Sequence, residues 1–233
     1  MKSIEKLADH SHPSVQDIAK RLTSAEASVR GKLERLFYYM RDEVKFGFPK
    51  EWDFVKASKV IELGLGQCNS KSTLFLAFCK ALGIPARVHY GLIKTEVVRG
   101  IFPGFALAMI PSKGSHSWLE VEIEGKWRRI DSYIVDEQLY QASRQNLKGK
   151  GWDIGYALAC PRGKCSCEFN IDKEEFVQMG AVVEDHGVWD DPSDYFVSGK
   201  YQSLNPLQLF FYRLMADSIN KKMEQMRKSR TEG

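Results

Sequence analysis

The chain has 233 residues, of which 43% are hydrophobic and 12% aromatic, enough for one compact unit with a sizeable core. Lys and Arg outnumber Asp and Glu by only 34 to 30, partly through Lys221-Lys222 and Arg227-Lys228-Ser229-Arg230. That tail reads as a solvated helix end, not as the dense basic face with interleaved aromatics that nucleic acid requires. The five cysteines are odd in number and do not form an evenly spaced framework, so reduced thiols are expected. The stretch Met1 to Lys6 lacks a signal peptide's apolar run, and Ile101 to Ile110 is broken by Pro103 and Gly104. A cytoplasmic protein with no membrane partner is expected.

In chain order, a helix is predicted from about Ser14 to Leu22 and a longer one from near Thr23, where Thr23 and Glu26 have capping-box spacing. Val29, Leu33, Leu36, Phe37 and Met40 give the second helix an apolar stripe. Pro49 to Ser58 reads as a loop, and Lys59 to Leu63 is ambiguous. A buried helix then starts at Cys68 or just after it. It carries Leu74, Phe75, Phe78, Cys79 and Leu82, and Gly83-Ile84-Pro85 stops it. Strands are expected at Ala86 to Ile93 and Phe105 to Ile110, followed by a turn at Pro111 to Gly114. Beyond Asp136 the pattern weakens, with a surface loop expected at Lys148 to Gly151. Asn205 and Pro206 read as the N-cap and first turn of a helix to about Lys228, with Leu207, Phe210, Phe211, Leu214 and Ile219 on one side and Phe210-Phe211-Tyr212 packing in the core.

The most legible stretch is a hairpin. Ser117, Leu119, Val121 and Ile123 alternate with His116, Trp118, Glu120 and Glu122, and Glu124-Gly125 makes the turn before a return strand from Lys126 to Tyr133. A two-residue turn pairs Ile123 with Lys126. Carried outward, this register sets His116 across from Tyr133 and Trp118 across from Asp131. His116 and Asp131 then become diagonal neighbours on one face, roughly 7–8 Å apart. A three-residue turn would put them on opposite faces.

The chemistry centres on Cys68, flanked by Gly66 and polar residues at the expected start of a helix. Amide protons and the helix dipole there favour a thiolate, which makes Cys68 a candidate nucleophile. His116 and Asp131 follow as candidate base and orienting carboxylate. His89 is the competing base; it shares the polar face of its strand with Arg87 and reads as a satisfied sheet histidine. Cys79, on the apolar helix face, reads as core. Cys160, Cys165 and Cys167 with His186 offer sulfur and nitrogen ligands, but C-x4-C-x-C is not a usual zinc spacing. The acidic run Glu184 to Pro192 lacks an EF-hand rhythm and is expected to be a solvated loop.

Taken together, Gly66-Gln67-Cys68, Leu74 to Ala77, Ala81 to Val88, Ser115 to Val121 and Trp127 to Asp131 resemble the core of the transglutaminase-like superfamily. The resemblance covers about Val60 to Tyr133. It implies an α+β, papain-like fold in which the cysteine-bearing helix packs on an antiparallel sheet, here with added N- and C-terminal helices. It also implies a catalytic triad at Cys68, His116 and Asp131, attack on an amide, and a thioester that passes its acyl group to an amine or water. Gln67 and Trp52 are the candidates to assist the Cys68 amide in an oxyanion hole. Animal transglutaminases carry an aromatic residue where this chain has Asn69, together with further β-domains and calcium sites for which 233 residues leave no room.

The expectation is therefore a single domain over 1–233: helices and loop over 1–58, a catalytic core over 59–140, a loop-rich extension over 141–205, and a helix with a basic tail over 206–233. Its expected activity is thiol-dependent amide hydrolysis or acyl transfer on a peptide, a protein side-chain amide or a small amide. Neither cofactor nor metal is expected. The rival readings are a non-catalytic binding module on the same fold and a zinc-stabilised structural protein.

Overall fold

The structure, a computed structural model, describes residues 5–173 and 176–229. The sequence readings at Met1 to Ile4 and at Arg230 lie outside the described residues. In chain order the elements are α1 Pro13–Thr23, α2 Val29–Tyr38, β1 Lys45–Phe46, α3 Ala57–Leu63, β2 Leu65–Gly66, α4 Cys68–Ala81, β3 Ala86–Lys94, α5 Gly104–Met109, β4 Lys113–Ile123, β5 Lys126–Ile130, α6 Glu137–Lys150, β6 Ile154–Gly155, β7 Leu158–Ala159, β8 Val182–Trp189, α7 Pro192–Phe196 and α8 Pro206–Lys228.

The organising contact is α4 on an antiparallel sheet of order β5-β4-β3-β8. Residues Leu74 to Cys79 of α4 are buried all round, because α1 and α3 cover the helix on sides the sheet leaves free. Leu119 and Val121 of β4 and Val88 of β3 belong to the same apolar core. Gly91 marks a close approach within the sheet: a side chain there would collide with the Glu184 carbonyl of β8, next to a register shift.

The β4–β5 hairpin has the predicted two-residue turn. Glu124 and Gly125 have φ of 53° and 73°, the left-handed pair that matches strand twist, and Ile123 pairs with Lys126. The ladder ends at Leu119–Ile130, three residues short of the predicted strand end. Beyond it the chain turns, Ile134 N donating to the Asp131 carbonyl. The Tyr133 hydroxyl hydrogen-bonds Ser72 on α4 at 2.6 Å, and Tyr133 packs against Phe75. Tertiary packing thus ends the strand before the expected Trp118–Asp131 pair forms.

Several expectations need correction. α2 starts at Val29, capped by Ser28 accepting from Gly31 N, while the Thr23 hydroxyl bonds back to Ala19 within α1. Residues Gly104 to Met109 form a short helix after Pro103, not a strand; the sheet's edges are already β5 and β8. Lys148 to Lys150 end α6, and the loop begins only at Gly151, whose φ of 65° closes the helix. The acidic run expected as a solvated loop is largely β8, an edge strand that tolerates Glu184 and Asp185 because one side faces water. On α8 most of the expected apolar stripe is turned outward: Leu207, Phe210, Phe211 and Leu214 are exposed, and of that stripe Ile219 faces the body, with Tyr212, Ala216, Met223 and Arg227. Of Phe210-Phe211-Tyr212, expected in the core, Tyr212 is buried. Arg227 is therefore not a solvated tail residue: it donates to Asp136 and to the Phe46 carbonyl. Cys160 and Cys165 form a disulfide, against the expectation of reduced thiols throughout, so neither sulfur is free to ligate zinc. No helix among the described residues is long and apolar enough to cross a membrane.

Candidate active site

Cys68 is the first residue of α4, and the local sequence explains why the helix starts there. Gln67 is the N-cap: its side-chain oxygen accepts from Asn69 N at 2.7 Å, and its backbone N donates to the Ser70 hydroxyl at 3.0 Å. The same Gln67 oxygen receives the Cys68 thiol at 3.1 Å. The Gln67 amide nitrogen goes elsewhere, to the Asp53 carboxylate at 2.5 Å.

Asp53, which sequence reasoning missed, is the hub of this start. It is 1% exposed. Its Oδ1 accepts from both Gln67 and Asn69, the residues on either side of Cys68, and its Oδ2 from the Tyr201 hydroxyl at 3.0 Å. Burial raises the carboxyl to about 6, against the opposing pull of the bonds from Asn69, Tyr201, Gln67 and Trp52. The partners lie 14, 16 and 148 residues along the chain, and no local motif marks such an arrangement.

Cys68 and His116 line one cavity of about 80 Å³, together with Asp53, Trp52, Gln67 and Gln178. Cys68 is part-buried. Burial and the nearby Asp53 charge push its thiol up to about 12, although the backbone amides of Ser117, Asn69 and Cys68 pull the other way. The helix N-terminus therefore acts as expected in direction but is outweighed, and the resting sulfur is a thiol. His116 is fully buried, with neither ring nitrogen hydrogen-bonded. Burial alone lowers it to about 3, so the resting imidazole is neutral.

Asp131 is also fully buried but does not line the cavity. Its carboxylate accepts three backbone amides, from Val177 at 2.7 Å, Gln178 at 2.8 Å and Met179 at 2.9 Å. Burial raises it to about 7, with those amides opposing the shift. Among the described residues no hydrogen bond joins His116 to Cys68 or to Asp131. Gln178 links the two places, because its amide N binds Asp131 while the residue lines the Cys68 cavity. The structure thus brings Cys68 and His116 to one cavity and leaves Asp131 tied to the backbone behind it.

Of the two oxyanion candidates, Gln67 has its side-chain oxygen committed to the cap and its amide engaged by Asp53. Trp52 lines the cavity, with φ of 62°, and packs edge-on against Tyr212. His89, the competing base, has both nitrogens taken: Nδ1 by Glu120 at 2.7 Å and Nε2 by Asp185 at 2.6 Å. Its ring stacks on Trp118. Cys167 is buried and free, and His186 bonds Tyr195 and Glu184. Among the described residues no cluster of His, Cys, Asp or Glu could hold a metal ion.

The comparisons bear on fold and family. One crystal structure that resembles the chain is described as a "putative cysteine protease" from Cytophaga hutchinsonii. The TM-score is 0.50 and the identity 16%, covering 86% of this chain and 50% of that one. The chain therefore spans half the length of that protein, and the likeness bears on fold alone. A second, described as a "putative protease" from Parabacteroides distasonis, aligns at a TM-score of 0.40 and 13% identity over 54% of this chain and 24% of its own, too slight a likeness to carry an argument. No curated protein matches in sequence. The family model described as "Transglutaminase-like superfamily" matches residues 16–132, a span that holds Cys68, His116 and Asp131 and half of the sequence; the chain belongs to the transglutaminase-like superfamily.

Proposed function

We propose that the protein is a cysteine-nucleophile hydrolase or acyltransferase acting on amides through a Cys68 thioester. The observation that carries this reading is the pairing of Cys68 with an unbonded His116 ring in one cavity. An imidazole with both nitrogens open on the cavity that holds Cys68 keeps the capacity to take the thiol proton, which a ring already paired with two carboxylates does not. The family and the fold support the same class of chemistry.

The resting pair is thiol and imidazole, both neutral. On substrate binding, His116 takes the Sγ proton as the sulfur attacks the acyl carbon and the carbonyl electron pair moves onto oxygen. The Cys68 backbone amide is the proposed donor to that oxyanion. Collapse breaks the C–N bond, and the imidazolium returns its proton to the leaving amine. Water or a second amine then attacks the thioester, with His116 accepting its proton and passing it to Sγ as the sulfur leaves. Asp131 would steady the imidazolium, which requires its carboxylate or the His116 ring to move from the resting geometry. Catalytic hydrogen bonds often close only in the substrate complex.

A non-catalytic binding module is the second reading. It is favoured by the absent Cys68–His116 and His116–Asp131 bonds and by the raised thiol. A cytoplasmic setting without nucleic-acid or membrane partners completes the proposal. The Cys160–Cys165 disulfide counts against that compartment, where such bonds are rare.

Because the resting sulfur is protonated, simple alkylation by iodoacetamide is a poor discriminator. Mass spectrometry after exposure to a peptide pool is better. An acyl adduct on Cys68, absent from Cys68→Ala, is expected. No adduct on Cys68 and no amine release from any peptide would defeat the enzymatic reading.

A further inference from the structure

The Cys68 cavity is chemically one-sided, and that restricts what its ligand can be. Apart from the site residues, its wall is mostly apolar, from Phe46, Phe48, Ile93, Val97, Val98, Phe102 and Ile110, with Thr95, Gly114 and Ser115 completing it. Among the described residues no Lys or Arg lines it. The one carboxylate there, Asp53, already accepts Gln67, Asn69 and Tyr201. An anionic acyl group would enter without a counter-ion, and a cationic one would have to displace bonds that hold the start of α4. Buried unpaired charge is heavily disfavoured, whereas each buried methylene favours binding roughly fourfold.

Size narrows the class further. A cavity of about 150 Å³ lined by aliphatic and aromatic side chains accepts benzene, and this one is about 80 Å³. A branched chain of three or four carbons matches that volume better than an aromatic ring does. The buried, unbonded His116 nitrogens mark the same space as one meant to receive a polar atom, which the acyl carbonyl or the amide next to such a chain supplies.

Resting on the reading of Cys68 as nucleophile, we infer that this cavity is a specificity pocket for an uncharged, branched aliphatic group beside the scissile carbonyl. The acyl donor is then of valine or leucine type. The charged or carboxamide-bearing side chain of a conventional polar donor is excluded. Whether that group comes from a peptide or from a small acyl amide, the pocket chemistry is shared.

The test uses intact protein and a series of N-acetyl aminoacyl chloromethyl ketones with Ala, Val, Leu, Phe, Glu or Lys side chains, plus dipeptidyl versions of each. Sγ bonds to the methylene carbon as chloride leaves, and rates are normalised to glutathione. The expected kinact/KI at Cys68, located by peptide mapping, is about 15-fold higher for Val and about 60-fold higher for Leu than for Ala. It is on the order of a hundredfold higher than for Glu or Lys. Faster reaction of the dipeptidyl series points to a peptide donor, and equal rates point to a small acyl amide. Ile110→Ala, at a part-buried position, is expected to shift the optimum from Leu toward Phe while circular dichroism stays unchanged.

Labelling of Cys68 that is flat across the series, or fastest with Glu or Lys, overturns the specificity inference and leaves the nucleophile standing. No labelling of Cys68 by any member overturns both.

Discussion

His89 and His116 sit on adjacent strands of one sheet and both approach the Trp118 ring, at 4.2 and 5.9 Å between centroids, yet their surroundings are opposite. His89 is saturated. Burial lowers its pKa, but the bonds to Glu120 and Asp185 outweigh that and hold it raised. His116 is as buried as a side chain can be, has no partner, and is held neutral by burial alone. The difference teaches that what distinguishes the proposed base from the paired sheet histidine is unspent bonding capacity, not burial. A ring whose two nitrogens are already used cannot take a proton from a thiol without first giving up a carboxylate.

That contrast can be broken most directly by exchanging the two. His116→Gln should lower the rate of acyl-enzyme formation by about 10²–10⁴, whereas His89→Gln should leave it within a few-fold; amine release from a trapped-substrate assay reads both. A larger loss at His89 than at His116 would reverse the assignment.

A smaller effect sharpens it at the carboxylate that organises Cys68. The Asp53 pKa is raised to about 6 from 3.8, so the folded state holds a proton that the unfolded chain has released. Asp53 should therefore lower stability as pH rises from about 4 to 6, by about 3 kcal/mol, and Asp131, raised to about 7, carries the fall on to about pH 7. Asp53→Asn should show a shallower fall in urea titrations at pH 4, 5, 6 and 7, the remainder coming from Asp131. An identical slope in the variant would rule out Asp53 as its source.

The smallest effect belongs to His89. Its raised pKa makes a stabilising contribution that is complete below about pH 6.5 and lost as pH climbs through the folded-state value. The His89 side chain is 13% exposed but Asp185 faces solvent, so screening keeps the benefit small. His89→Gln should thus lower the unfolding midpoint more at pH 5.5 than at pH 8.5. Equal losses at both would show that stacking on Trp118, not charge, is what His89 provides.

The hairpin was legible because alternation and Glu124-Gly125 are local, and one turn sets the register of every pair it joins. The start of α4 was legible through Gly66-Gln67-Cys68, and its end through Gly83-Ile84-Pro85. α8 was legible in extent, from Asn205 to Lys228, but not in orientation. Its largest apolar residues suggested one face, and the body took the other, where Arg227 meets Asp136. A helix carrying apolar side chains on two sides does not itself say which is covered. The edge strand β8 was hidden because its charges satisfy each other across the sheet, as in the His89–Asp185 pair.

Residue order alone determined the family's motif series, the position of Cys68 at a helix start and the two-residue turn, since each depends on chemistry within a few neighbours. Only the tertiary structure decided that Asp53 braces that start, that Asp131 spends its carboxylate on the Val177 to Met179 amides, and that Cys68 rests as a thiol. Each of these is set by desolvation and by partners brought together from distant stretches. Such terms have no local signature, because they do not exist until the chain has closed around them.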